Sequence, residues 1–477
     1  MSDFCALLQK IGILFFIVKM RTSWSILLFF FLLFFPPLNA KTYRYRVYLK
    51  DKGEAASSLS SPERFLSAAA LERRARQHIA IDKSDLPISR NYIDSLEAQG
   101  AHIVTQSKWM QTVVVDVPDT TFVRRLSRLS MVDSVRFVWQ GDADAFSSGQ
   151  TDNAGRYEVD AERKADFYGY GEKQIELLQG HRLHKRGFQG EGMRIAVIDA
   201  GFRHVDCLNA FDSIRLGGTY NALAPGQTVF GYDNHGTKVL SCLAAYLPGI
   251  LVGTAPKATY WLIKSEDSSA EYPIEEDYWL SAAEYADSVG VDVITSSLGY
   301  FSFDEERLSY KPSQLDGRTS LISRGASMAA RKGILVFSSA GNEGNSSWGT
   351  ITVPADADGI LTVGAIDEKK KRSLFSSIGY SADGRVKPDV VALGTDCAVI
   401  EPDGALRFSS GTSFATPILA GACACVWQAL PWLTSRDLVR LVREYASLSK
   451  RPNPELGYGL PNLYKLYKKE KRYAPKD

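Results

Sequence analysis

Few groups in this chain can exchange a proton near neutral pH. Six histidines occur among its 477 residues. His78 and His102 fall in an amino-terminal region of short mixed elements, and His181 and His184 lie beside a Gly- and Ser-rich stretch. His235 stands in Asp233-Asn234-His235-Gly236-Thr237-Lys238-Val239, at the entrance to an apolar helix; His204 follows Asp199 closely. Position favours His235, with His204 a distant second. Three further segments carry groups that suit an imidazole base. Ile198-Asp199-Ala200-Gly201 puts a carboxylate at the end of an apolar strand, where open α/β sheets gather their active groups. Asn342 in Ser338-Ser339-Ala340-Gly341-Asn342-Glu343-Gly344 lies just past another strand, where a side-chain amide can donate to a developing oxyanion. Ser413 in Ser410-Gly411-Thr412-Ser413-Phe414-Ala415-Thr416-Pro417 opens an apolar helix, where free N–H groups and the positive dipole end favour an oxyanion. Pro417 fits the first turn of that helix. Singly these are a turn Asp, a helix-start His, a turn Asn and an N-cap Ser. Together they supply what a hydroxyl nucleophile needs: a base to take its proton, and a carboxylate to fix the imidazole's tautomer and stabilise its charge.

The elements that must hold these groups are legible as short apolar runs. RIAVI at 194–198, TYWLI at 259–263, VDVIT at 291–295, ILVFS at 334–338, ILTVG at 360–364 and VVAL at 390–393 read as buried parallel strands. Helical stretches at 236–247, 277–289, 318–332 and 412–429 lie between several of them. Strands alternating with helices predict one parallel α/β sheet covered on both faces. No GxGxxG follows the first strand, which excludes a dinucleotide-binding reading. Ahead of this half, strands at 44–49, 101–106, 111–117 and 132–139 mix with helices at 62–78, 91–98 and 120–129, predicting a small α+β unit with an antiparallel sheet. It holds no nucleophile, metal cluster or phosphate loop. Residues 140–172 have linker composition.

The balance of 56 Lys+Arg against 54 Asp+Glu argues against a nucleic-acid binder. Residues 22–40 form a signal-peptide pattern: basic flank, apolar run of about ten residues, Ala40 at the cut. That run is short for a membrane span of ~20 residues. An earlier apolar run at 11–18 suggests either a true start at Met20 or an uncleaved anchor. Export permits disulfides, yet five cysteines remain after the signal, an odd number, and no CxxC pair indicates a metal site.

With these segments on the page, residues 190–465 resemble a subtilisin-like serine peptidase. Gly253-Thr254-Ala255-Pro256-Lys257-Ala258, Ser296-Ser297-Leu298-Gly299, Val353-Pro354-Ala355, Phe375-Ser376-Ser377-Ile378-Gly379, Lys387-Pro388-Asp389 and Gly457-Tyr458-Gly459 are similar to that family's markers. The resemblance implies that Asp199 orients, His235 acts as base and acid, Ser413 attacks and Asn342 donates to the oxyanion. It also implies that Ser297, Leu298, Gly299, Ser339, Ala340 and Gly341 flank an extended peptide. Residues 91–139 resemble the family's inhibitory pro-domain. The implied organisation is a signal segment (1–40), a ferredoxin-like pro-domain (41–140), a linker bearing the maturation cut (141–172), a peptidase domain (173–465) and a basic tail (466–477). The implied product is an exported, self-inhibited endopeptidase that works through an acyl-enzyme. It would be periplasmic, surface-held or secreted, and touch a membrane only through an uncleaved signal. Its partners are polypeptide substrates and its own pro-domain. A peptide ligase or cyclase and a silent peptide-binding module are the alternatives. No cofactor is required; the family's structural calcium is allowed, without identifiable ligands. Four departures stand out: Ala200 in the Asp motif, Lys238 after the His, Leu393 in place of a Pro, and Phe414 after the Ser. The acidic run Glu271 to Asp277 reads either as an attractor of basic side chains or as a solvated loop.

Overall fold

A computed structural model of the chain describes residues 41–54, 59–117, 120–142 and 155–475. The signal pattern at 22–40 and residues 143–154 of the stretch expected to contain a maturation cut lie outside the described residues. Among the described residues, no helix is long and apolar enough to cross a membrane.

Period-two alternation builds the amino-terminal unit. In β1 (Lys41–Leu49), Tyr45, Val47 and Leu49 enter one apolar cluster, while Arg44 and Arg46 face the other way. The unit continues with α1 (Ala68–Arg76), α2 (Arg90–Glu97), β2 (His102–Ser107), β3 (Thr112–Val117), α3 (Phe122–Leu126) and β4 (Val132–Asp142). Its four strands are antiparallel in the order β2-β3-β1-β4. Ile93 and Leu96 of α2 and Leu126 of α3 cover one face, with Val113, Val115 and Val117 beneath them. The opposite face sets Val114, Val138 and Trp139 against Tyr272, Ile274 and Tyr278 of the second unit.

The second unit begins with short α4 (Glu172–Glu176) and α5 (His181–His184). There follow β5 (Arg194–Asp199), β6 (Arg215–Asn221), α6 (His235–Ala244), the small hairpin β7 (Tyr246–Leu247) and β8 (Leu251–Val252), and β9 (Thr259–Lys264). Next come α7 (Ile274–Val289), β10 (Val293–Ser296), α8 (Leu321–Arg331), β11 (Leu335–Ser339), β12 (Leu361–Ile366) and β13 (Val390–Leu393). The hairpin β14 (Cys397–Ile400) and β15 (Leu406–Ser409) leads into α9 (Thr412–Ala429), α10 (Ser435–Glu444) and α11 (Leu463–Glu470). Seven parallel strands run in the order β13-β12-β11-β10-β5-β9-β6. Ile195 and Val197 pack under α6 and α9, while Ala196 and Ile198 pack under α7 and α8. Both faces of the sheet are covered, so its strands read as continuous apolar runs rather than alternating ones.

Four readings are corrected. Strand β6 was not foreseen: RLGGTYN has little apolar signal because it is a largely exposed edge, and its glycines lie under Trp261, where a Cβ at Gly217 would come within 2.5 Å of the indole. Residues 155–172 are not a free linker, for aromatic anchors sit within their Gly- and Asp-rich composition. Tyr157 stacks on His204 at 4.7 Å, Val159 is buried, and the Tyr168 hydroxyl pairs with His184 Nδ1 at 3.1 Å. The basic tail starts inside a helix, α11, whose Leu463, Leu466 and Tyr467 are buried. Pro417 falls in the second turn of α9, not the first. The five described cysteines are unpaired, and among the described residues no group of His, Cys, Asp and Glu is arranged to hold a metal.

Candidate active site

Asp199 ends β5 and is fully buried. Its Oδ1 accepts from the Ala200 N–H at 2.8 Å and from His235 Nδ1 at 2.7 Å, while Oδ2 is buried and has no partner among the described residues. The backbone around it is fixed, since Ser265 N donates to Asp199 O at 3.0 Å and Lys264 Nζ to Ala200 O at 2.7 Å.

His235 is the first residue of α6. Gly236 permits this approach: a Cβ there would lie 2.3 Å from Gly201 O and 3.1 Å from Asp199 Cβ. Thr237 Oγ1 ties the same turn to Arg203 O at 2.8 Å. A second carboxylate, not singled out from the sequence, serves the histidine. Asp233 Oδ1 accepts from the His235 backbone N–H at 2.7 Å, and its Oδ2 accepts from Ser268 Oγ at 2.9 Å. The spacing Asp-x-His at a helix start was the available signal, because acidic caps are favoured there. Burial pulls the imidazole's pKa down, but the charge and hydrogen bond of Asp199, and then the charge of Asp233, outweigh it; Lys238 opposes them. The net shift is upward. With Asp199 on Nδ1, the Nε2 side is left for proton exchange.

Ser413 is the second residue of α9, and its hydroxyl donates to Ser297 O at 3.3 Å rather than to His235. The displaced Pro417 explains a partner for the backbone here. Proline has no N–H to give the carbonyl four residues back, which is that of Ser413. Ser297 Oγ fills the gap, donating to Ser413 O at 2.8 Å. Ser297 and Ser413 thus hold each other through two reciprocal bonds. Free serine hydroxyls in resting sites are commonly misaligned until substrate binds.

Asn342 follows β11, and its Oδ1 accepts from Thr412 N at 2.9 Å and Thr412 Oγ1 at 3.0 Å. That pair fixes the amide so that Nδ2 faces away from Thr412. A Cβ built on Gly411 would lie 3.6 Å from Ser413 N and 3.7 Å from Asn342 Nδ2, so both donors border the same small space. The His235 and Phe414 rings lie 6.2 Å apart, centroid to centroid. Ser297, Leu298 and Gly299 run on from β10 beside Ser339, Ala340 and Gly341. Ser339 Oγ donates to Leu298 O at 3.3 Å, and Ala340 is pinned between Val363 O and Thr352 N.

His204 is not brought to this site: it is buried against Tyr157 and its Nδ1 pairs with Pro402 O at 2.9 Å. Neither reading of Glu271 to Asp277 holds. Glu275, Glu276 and Asp277 form the buried first turn of α7. Glu276 Oε1 and Oε2 accept from Tyr310 Oη and Ile322 N, and Asp277 takes Arg46 of the first unit in a forked pair. Burial, with the nearby Glu266 and Glu271 adding to it, pushes the Glu275 carboxyl well above the usual carboxylate range.

Residues 190–459 match the model of the subtilase family, and residues 44–153 match that of the peptidase S8 propeptide domain of the Bacteroidota. Subtilisin NAT of Bacillus subtilis subsp. natto is 31% identical over 270 residues, which are 55% of this chain and 63% of that protein. A subtilisin of Bacillus pumilus is 31% identical over 270 residues, covering 87% of its length. Subtilisin Savinase of Lederbergia lenta is 30% identical over 259 residues, 84% of its length. The chain therefore spans less than two thirds of the first of these relatives and most of the other two. The peptidase match covers more than half of the chain, in agreement with its parallel sheet and antiparallel amino-terminal unit: the chain belongs to the subtilase family and carries a peptidase S8 propeptide domain.

Proposed function

We propose that this chain is a serine endopeptidase made as a self-inhibited zymogen, in which Asp199, His235 and Ser413 form the catalytic triad. The observation that carries the reading is the 2.7 Å bond from His235 Nδ1 to the buried Asp199, with Ser413 N and Asn342 Nδ2 bordering one space beside the Ser413 helix start. Ser413 Oγ attacks the peptide carbonyl while His235 Nε2 takes its proton. Ser413 N–H and Asn342 Nδ2 hold the oxyanion; His235 then protonates the leaving amine, and water hydrolyses the acyl-enzyme. Substrate lies extended along Ser297–Gly299 and Ser339–Gly341. Among the described residues, no protein group satisfies the Gly299 backbone N–H or C=O, which leaves them for an added strand. The signal pattern at 22–40 directs export to the periplasm, the cell surface or the medium.

Mass spectrometry of the exported wild type beside Ser413→Ala tests this. The wild type alone should lose its residues up to a cut within 140–172. The variant should stay whole, with kcat on a peptide substrate lowered by several orders of magnitude. Near-normal turnover by Ser413→Ala would overturn the nucleophile assignment.

A further inference from the structure

The propeptide unit holds the peptidase unit in two places. One is the sheet face laid along α7, where Arg46 forks onto Asp277 in the first turn and, farther along, Glu284 Oε1 accepts from Ser107 Oγ and Trp109 N. The other is at the carboxyl end of α7, where α1 docks. From Asp277 to Asp287 is ten residues, about 15 Å along a helix.

This second contact lies at the edge of the sheet opposite the triad. Val291 and Gly333 precede β10 and β11, whereas Asp199 closes β5 and Asn342 follows β11. Ser67 N donates to Ser288 O at 2.9 Å, starting α1 where α7 ends. Gly290, at φ +87°, closes α7, and a Cβ there would strike Ala69 at 2.5 Å. Into this junction go two buried guanidinium groups. Arg73 Nη1 donates to Val291 O at 2.6 Å, its Nε to Lys332 O at 3.4 Å, and its Nη2 to Asp287 Oδ1 and, at 3.4 Å, to Asp287 O. Arg74 Nη2 forks onto both Asp287 oxygens at 2.9 and 2.8 Å and reaches Asp85 of its own unit at 3.1 Å. Lys332 Nζ closes the network on Asp85 Oδ2 at 2.9 Å. At the rim, Arg76 pairs with Asp292 at 2.9 Å, and Gln77 spans from Gly333 O at 2.7 Å to Ser435 N at 2.8 Å.

The peptidase side of this junction is a set of outward-pointing carbonyls at a helix carboxyl end, the negative pole of its dipole, plus the buried Asp287 carboxylate, with Asp292 at the rim. Such a set suits a planar five-donor fork better than a point charge. We propose that Asp287, with the carbonyls of Val291 and Lys332, forms a guanidinium-binding exosite remote from the cleft, and that the Arg73–Arg74 plug occupying it keeps the propeptide seated after the chain is cut. The proposal rests on the zymogen reading above. A cut beyond Asp142 leaves every bond of the plug intact, and one rigid unit gripping at two places raises the effective concentration at each.

The test uses the full chain carrying Ser413→Ala, so that it does not depend on self-processing. A recognition sequence for a site-specific endopeptidase is placed within 143–154 and cut. Retention of the propeptide on the peptidase is then read by gel filtration and by its dissociation constant. The cut pair should co-elute, and Arg73→Gln with Arg74→Gln should weaken retention by about 100-fold or more. Arg73→Lys with Arg74→Lys keeps the charge, guards against a variant that fails to fold, and should still weaken it by about tenfold or more, because the fork is lost. An unchanged dissociation constant in the lysine variant, or in a folded glutamine variant, overturns the exosite. Failure of the triad reading would instead appear as processing or turnover by Ser413→Ala and would leave this result untouched.

Discussion

The pairing of Ser297 with Ser413 makes a quantitative prediction. Pro417 deprives Ser413 O of its helical partner, and Ser297 Oγ replaces it at 2.8 Å within a buried setting. Ser297→Ala should therefore leave that carbonyl buried and unsatisfied, at about 1–3 kcal/mol. A peptidase unit of about 300 residues unfolds with roughly 2.1 cal/mol/K per residue, or ~0.6 kcal/mol/K, so its Tm should fall by about 2–5 °C. Pro417→Ala restores an N–H aimed at the same oxygen. Alone it should bring a small loss of about 0.4–1 kcal/mol, since the oxygen already has a donor and the unfolded chain gains freedom. Combined with Ser297→Ala, it should recover much of the Tm, giving a coupling energy of about 1 kcal/mol or more. The assay is calorimetry of the four proteins in a Ser413→Ala background, which keeps the backbone carbonyl and removes self-digestion. Additive Tm changes would refute the argument that proline and hydroxyl answer one another.

Two further predictions concern the chemistry. Asn342→Ala should lower kcat by about 10²–10³ with KM little changed, the range found for removing this kind of donor in subtilisin itself; a fall in kcat/KM carried by KM alone would remove Asn342 from the oxyanion role. Asp233→Asn keeps an acceptor for the His235 N–H but deletes a charge that lifts the imidazole's pKa. In the proposed mechanism His235 works as a base when neutral, so activity should be lost as pH falls through its raised pKa, and the acid limb of kcat/KM should move to lower pH in the variant. A limb that stays put or moves up would show that Asp233 acts on backbone position alone.

How far the sequence could be read follows from what each residue answers to. Six of the seven strands, the buried edge strand β13 among them, are legible because burial on both faces demands unbroken apolar runs, as in RIAVI and ILVFS. The edge strand β6 answers to a single neighbour and to Trp261, so its glycines look like a turn. Asp199, His235, Asn342 and Ser413 stand out because each sits where an apolar run stops or begins. The contacts that hold them are less legible: Thr412 grips Asn342 Oδ1 through its N–H and hydroxyl, Ser297 answers the Ser413 carbonyl, and Asp233 is marked only by the Asp-x-His spacing, because each pairing joins residues whose approach the fold alone sets. Pro417 was assigned to a first turn because proline is easily tolerated there, whereas its actual place requires a donor 120 positions away in Ser297. The segment at 155–172 misled through composition, since a few aromatic rings outweigh many polar residues once they find a groove.

The boundary between the two units is chemically unlike the core of either one. Its centre includes Trp109 and the cluster of Val114, Val138, Tyr272 and Ile274, yet the contacts that fix its register are ionic or hydrogen-bonded: Arg46 on Asp277, Glu284 on the 107–109 turn, Arg73 and Arg74 on Asp287. While the units are joined these groups are dry, and losing one partner strands the other at a cost of several kcal/mol. Once the units part, water can solvate the charged groups on both sides of the apolar centre. An interface of this kind is costly to break one partner at a time, yet its charged groups on both sides can be taken up by water. A wholly apolar boundary would have joined the units as permanently as the sheet joins its own helices.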